Sequence, residues 1–132
     1  MIKYVAPALT ALHNAKEIDV ESCIKLYDSL TKSGLDGIAV FGTSGEFPHI
    51  SLAEKKRLIK AATPHIKGKA EYIVGAGSMN IDETVEFSNY SFENGADAVI
   101  LVGPYYYGLS DEAVFNYFSK AASEIKGNIY MY

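Results

Sequence analysis

The sequence predicts an α/β fold of parallel strands joined by helices, the N-terminal part (about five βα strands) of a (β/α)8 TIM barrel. Three observations carry that expectation. Short β-prone runs recur about every thirty residues, the length of a βα unit. Amphipathic helical stretches fall between them. The chain of 132 residues runs out on an apolar, aromatic fifth strand. A strand left there without a helix would expose both a face and an edge. The 132 residues are therefore expected to be the N-terminal portion of a single barrel domain, just over half of the about 250 residues such a barrel takes, with the remainder outside the chain. A doubly wound sheet, complete at five strands, also fits the alternation.

Each element has its own signal. "YVAPALT" (4–10) is β-prone, and Pro7 inside it predicts an irregular first strand. "DVESCIKLYDSLTKSG" puts Val20, Cys23, Ile24, Tyr27 and Leu30 on one helical face, with Asp19 as N-cap and Gly34 as the stop. "GIAVF" (37–41) is the second strand. Ser51 with Glu54 three residues on reads as a capping box, opening a helix that carries Leu52, Leu58, Ile59 and Ala62. "EYIVGAG" (71–77) is the third strand, and "NIDE" (80–83) caps a helix ending near Gly95. "AVILV" (98–102) is the fourth. The stretch 110–127 is expected to bury Val114, Phe115, Phe118, Ala122 and Ile125 and to stop at Gly127, before "NIYMY" (128–132) starts the fifth strand.

Composition excludes several function classes. A net charge of −4 with both signs spread along the chain offers no basic stripe, so no nucleic-acid partner is expected. No apolar run reaches the about 18 residues of a membrane span, and the N-terminus lacks a charged-then-apolar leader. The single cysteine, Cys23, cannot form an internal disulfide and sits at an apolar helical position, a buried thiol of a reducing compartment. A cytoplasmic protein without membrane attachment is expected. His13, His49 and His65 are scattered without ligand spacing, so no metal site is expected.

In either architecture ligands bind where the strands end at their carboxyl side. The loops there carry "GTSGE", "GAGSMN" and "GPYYYG", and the fifth strand ends on Tyr132. Strand alternation places Ile38 and Val40 toward the helices and Gly37, Ala39, Phe41 and Thr43 the other way. Likewise Ile129 and Met131 face the helices, and Tyr130 and Tyr132 point inward. A small carboxylate suits such a cavity. Gly42 and Gly45 let backbone N–H groups approach an anion, and Thr43 and Ser44 add hydroxyl donors near the start of a helix. The alternative is a glycine-rich turn whose hydroxyls satisfy their own backbone. "GTSGEF" lacks the ending of a phosphate loop, and Asn80 stands where a dinucleotide fingerprint needs its last small residue. Glu46 is expected to accept backbone N–H groups. Lys25, Lys55, Lys56 and Lys60 fall on charged helix faces, where they should be solvated and protonated.

"GTSGE", "GAGS", "GPYYY" and the tyrosine closing the fifth strand, in this order and spacing, resemble the dihydrodipicolinate synthase/N-acetylneuraminate lyase family of Schiff-base (class I) aldolases. The resemblance spans essentially the whole chain, which corresponds to about the first half of a family member. It implies a lyase that makes or breaks a C–C bond beside an imine of pyruvate, with pyruvate and an aldehyde as small-molecule partners and no metal or other cofactor. It also implies a homo-oligomer, a homotetramer built as a dimer of dimers. Thr43 and Ser44 match the pair that holds the pyruvate carboxylate. Thr43 also relays protons between tyrosines, Tyr132 matches the proton-shuttling tyrosine, and Tyr106 matches the tyrosine that reaches into a neighbouring subunit's site. Tyr105 and Tyr107 read instead as interface packing.

Two departures qualify what the resemblance implies. The family's Schiff-base lysine lies on the sixth strand, beyond Tyr132, so the 132-residue chain alone is expected to be inactive. "YYYGLS" also lacks the asparagine, basic residue and proline that follow the paired tyrosines in the synthase branch. With "YMY" at the fifth strand, it looks closer to the lyases of 2-keto-3-deoxy sugar acids or sialic acid. Two other classes of function remain open on the residues alone: a doubly wound domain binding a phosphorylated ligand, and a non-catalytic half-barrel that assembles with another chain.

Overall fold

The computed structural model describes residues 3–14 and 16–132. β1 (Val5–Pro7) is followed by a hairpin of β2 (Leu12–His13) and β3 (Glu17–Ile18), and then by α1 (Val20–Thr31) and β4 (Gly37–Val40). Two 3-10 turns, Thr43–Gly45 and Phe47–His49, lead into α2 (Leu52–Ile66) and β5 (Glu71–Gly75). α3 (Ile81–Glu93), β6 (Ala98–Leu101), α4 (Asp111–Glu124) and β7 (Asn128–Met131) complete the chain.

The five-stranded sheet has the order β1-β4-β5-β6-β7, with every pair parallel. Each new strand is laid beside the previous one, without the reversal of direction that defines a doubly wound sheet. This is the winding of a barrel. Among the described residues Pro7 ends the outermost strand, opposite Ala39 of β4.

Strand alternation sets the two faces. Ile38, Val40, Tyr72, Val74, Val99 and Leu101 are buried in the core together with Tyr27, Leu58, Ile59, Ile66 and Phe87 of the helices. Ala39, Ile73, Ile100 and Tyr130 line a cavity on the opposite face. On that face the Tyr130 hydroxyl donates to Glu71 Oε1 at 2.9 Å and Lys3 Nζ to Oε2 at 2.8 Å. These partners hold the Glu71 carboxyl below its usual range, the Lys3 bond first. The middle strand is thereby tied to both edges of the sheet.

Capping follows the sequence with one change. Asp19, Ser51, Asn80 and Ser110 each accept a backbone N–H of the first turn. The Glu54 carboxylate, however, does not return to the cap. It accepts Ile18 N at 2.8 Å and Arg57 Nε at 3.0 Å, while Arg57 Nη2 donates to Ile18 O at 2.7 Å. The box is half formed because the hairpin, absent from the sequence reading, brings an orphan backbone N–H within reach. Cys23 is fully buried, and burial pushes its thiol up.

Three expectations about packing are corrected. Phe115 and Ala122 of α4 are exposed, and the buried positions are Tyr117, Ala121 and Ile125. α4 leans on α3 through Tyr117, Lys120 and Glu124, which leaves Phe115 on the other side. Gly127 does not cap α4, which already ends at Glu124. A Cβ there would stand 2.4 Å from the Phe92 ring, so the residue makes room for a helix side chain. Gly34 and Gly95 do occupy left-handed backbone just beyond α1 and α3. No helix among the described residues is long and apolar enough to cross a membrane.

Candidate functional site

At the carboxyl ends of the strands a cavity of about 270 Å³ is lined by Thr43, Ser44, Phe47 and Tyr132, with backbone from Gly42, Gly75 and Gly77. Three separate loops and the end of the fifth parallel strand meet there. The "GTSG" stretch forms a 3-10 turn, Gly45 N donating to Gly42 O at 3.0 Å and Glu46 N to Thr43 O at 3.1 Å. These two N–H groups are satisfied by backbone, while those of Thr43 and Ser44 have no acceptor among the described residues. Among the described residues neither the Thr43 nor the Ser44 hydroxyl makes a hydrogen bond, so both donors are available to a ligand.

The turn is fixed from two sides. Thr10 Oγ1 donates to Gly45 O at 2.8 Å, and a Cβ on Gly45 would lie 3.1 Å from Ala8 O. Gly45 therefore serves close packing against the first strand's loop rather than approach to an anion. Gly42, with nothing within 4 Å of where its Cβ would be, is the glycine that leaves the cavity open. Tyr132 N donates to Leu101 O at 2.9 Å, which extends the β6–β7 ladder by one bond and sets the tyrosine at the cavity edge.

Phe41 departs from the alternation. Its φ of 56° is left-handed, which turns the side chain from the inner face into the core, where its ring centroid lies 6.2 Å from that of Phe87. Its backbone carbonyl faces Gly75 instead. Glu46 also has left-handed backbone, and its exposed carboxylate accepts no hydrogen bond from a described residue, contrary to the role expected of it. Glu46 stands between the two 3-10 turns with its side chain in solvent, where water satisfies the carboxylate.

Lys55 also departs from the expectation of a solvated lysine. It is only 7 % exposed, with Nζ 5.6 Å from the centroid of Phe47 and 5.9 Å from that of Phe87, and no described residue hydrogen-bonds or pairs with its ammonium. Desolvation pushes its pKa down. Lys25 and Lys56 instead pair with Glu21 and Glu86 at the surface. A helical-wheel reading misses Lys55 because Phe47, the cover over it, comes from the irregular turn before α2. Below its lowered folded pKa, Lys55 is charged in both states and the cost of burying it is at full strength. As pH rises toward the ordinary lysine value of about 10.4 that cost disappears. Lys55→Met is therefore expected to stabilise the fold by about 1–3 kcal/mol at neutral pH. The gain should shrink as the pH nears about 10, and urea melts at the two pH values measure both.

Of the aromatic run, Tyr105 packs edge-on to Phe47 at 5.8 Å between centroids. Tyr106 is 76 % exposed, edge-on to Tyr107 at 4.8 Å, and does not line the cavity of its own chain. Thr43, Ser44 and Tyr132 are brought together, and Tyr106 stands apart from them.

The winding of the sheet is that of the N-terminal part of a (β/α)8 barrel, and the cavity lies at the carboxyl ends of its strands. The chain belongs to the dihydrodipicolinate synthetase family, whose family model matches residues 2–132. It is 31% identical to the 4-hydroxy-tetrahydrodipicolinate synthase of Kosmotoga olearia over 100% of this chain and 45% of that protein. The crystal structure of YagE, a family member from Escherichia coli K12 in complex with pyruvate, superposes with a TM-score of 0.92 at 28% identity, covering 98% of this chain and 44% of YagE. N-acetylneuraminate lyase from Mycoplasma synoviae gives a TM-score of 0.90 at 26% identity, over 98% of this chain and 45% of that one. The chain spans about half the length of the relatives it matches.

Proposed function

We propose that the protein is a pyruvate-dependent Schiff-base lyase, with the imine-forming lysine supplied by barrel strands beyond residue 132. The observation that carries this reading is the free hydroxyl pair Thr43–Ser44 sharing one small cavity with Tyr132. Three carbons of pyruvate need one wall of donors for the carboxylate and one group that both gives and takes a proton at the carbonyl. Hydroxyls and bare glycine backbone supply the first. A phenol supplies the second.

In this reading the lysine amine attacks C2 of pyruvate and Tyr132 passes a proton to the carbonyl oxygen as the carbinolamine forms. The phenolate takes up the proton shed by the attached nitrogen and returns it to the carbinolamine hydroxyl, which leaves as water and gives the protonated imine. The carboxylate stays on Thr43 and Ser44 throughout, and the imine draws electrons from C3, where the bond to the aldehyde is made or broken. Tyr106, exposed at the end of its loop, completes the proton relay in a neighbouring subunit of a dimer of dimers. The departure at "YYYGLS" favours a sugar-derived keto acid over the synthase's semialdehyde. The free, buried Cys23 fits a cytoplasmic location.

Borohydride trapping tests the reading directly. With pyruvate, the full-length protein is expected to gain one reduced adduct on one lysine outside residues 1–132, identified by mass spectrometry. Absence of any adduct would sink the lyase reading. Thr43→Val keeps the side-chain volume and removes one charge-assisted bond worth about 1.5–3 kcal/mol. The pyruvate concentration for half-maximal trapping should then rise by roughly tenfold to a hundredfold.

A further inference from the structure

We infer that Tyr117 and Thr84 are positioning residues for the cavity, acting through the loop at residues 76–80. Gly77 of this loop lines the cavity, and Ser78 follows it. Ser78 N donates to Thr84 Oγ1 at 3.0 Å, Thr84 Oγ1 and the Tyr117 hydroxyl lie 2.8 Å apart, and Tyr117 donates to Ser78 O at 2.9 Å. The Ser78 carbonyl lies 2.9 Å from the Tyr117 hydroxyl but 3.5 Å from Thr84 Oγ1, so the shorter bond takes the Tyr117 proton and leaves Thr84 as the donor between the two hydroxyls. The three bonds then close a ring that runs in one direction, from peptide N–H through two hydroxyls and back to the carbonyl of the same residue. Members of such a ring polarise one another.

The ring is largely buried and built from separate elements. Thr84 on α3 is fully buried and Tyr117 on α4 is 9 % exposed. Neither hydroxyl serves the capping of its own helix, and Ser78 has both backbone groups taken up. Its neighbour Gly77 has no room to drift toward β6, since even a Cβ there would sit 2.8 Å from Val102 O. Held on one side by the ring and on the other by Val102, the loop presents one backbone shape to the cavity. A pyruvate bound by Thr43 and Ser44 meets that backbone as a preformed wall, so loss of the ring is felt in affinity rather than in the proton transfers at Tyr132.

This inference rests on the pyruvate reading above, and its test separates the two. In full-length Tyr117→Phe, exchange of the Ser78 amide is expected to quicken about tenfold or more relative to amides of β5. Half-saturating pyruvate should rise about tenfold, the worth of one hydrogen bond, with the maximal trapping rate within about threefold of the parent. Thr84→Val should do the same, Thr84→Ser should restore both readouts, and the double variant should be no worse than either single, because one ring is broken in each. Ser78 exchange and half-saturation unchanged in Tyr117→Phe would overturn the inference. So would a rise in exchange spread evenly over the sheet with a lowered melting point, which marks a purely structural tyrosine. If the parent protein forms no imine, the pyruvate reading fails, and the Ser78 exchange still decides whether the ring orders the loop.

Discussion

Gly75→Ala is expected to destabilise the protein by about 4 kcal/mol, at the upper end of what single substitutions do. The added Cβ would lie 2.1 Å from the carbonyl oxygen of Phe41, 2.6 Å from its carbonyl carbon and 3.1 Å from the Val40 oxygen. All three atoms are backbone, so no side chain can rotate away. Relief requires parting β4 from β5 or undoing the left-handed turn at Phe41. Parting the strands strips hydrogen bonds from the centre of the sheet. Undoing the turn pulls the Phe41 ring out of the core and shifts Thr43, two residues on. Urea unfolding read by circular dichroism measures the loss, and a midpoint equal to that of the parent would show that β4 and β5 can part at little cost. A milder variant with residual fold should also bind pyruvate less well, because the hydroxyl turn begins where the strand has moved.

How far the sequence could be read depends on which atoms each rule consults. Strand and helix positions follow from periodicity, a property of neighbours along the chain, and "GIAVF", "EYIVGAG" and "AVILV" each contain the strand seen there. Alternation failed at Phe41 because a single positive φ resets which way the next side chain points, and nothing about a phenylalanine announces that φ. The wheel failed at Lys55 and on α4 for a different reason. Phe47 covers Lys55 from the turn ahead of the helix, and α4 takes its angle from Thr84 and Ser78, both distant in sequence. The site itself was more legible than its supports. Thr43, Ser44 and Tyr132 are polar groups set among glycines and apolar strands, where local chemistry stands out. Tyr117 looks like any core aromatic until the partner of its hydroxyl is seen. Gly127 likewise reads as a helix stop, and only the Phe92 ring explains it.

Tyr132→Phe should slow imine trapping by about a hundredfold, the low end of what a positioned acid–base group contributes, while leaving half-saturating pyruvate within a few-fold. The phenyl ring is retained, so the cavity keeps its wall, and Tyr132 N still donates to Leu101 O at 2.9 Å because that bond belongs to the backbone. What disappears, on the pyruvate reading, is the phenol that donates a proton to the carbonyl and takes one back. Thr43 carries a hydroxyl too, but in the proposed division of labour it is committed to the carboxylate and relays rather than originates the proton. The contrast with Thr43→Val is therefore diagnostic: one variant should lose affinity and the other rate. A time course of borohydride trapping at saturating pyruvate separates them. If Tyr132→Phe traps as fast as the parent, the proton comes from elsewhere, and Tyr130, whose hydroxyl is bound to Glu71 on the same face of the sheet, becomes the next residue to replace. Loss of affinity at unchanged rate would instead make Tyr132 part of the carboxylate wall, with the proton relay moved to Thr43.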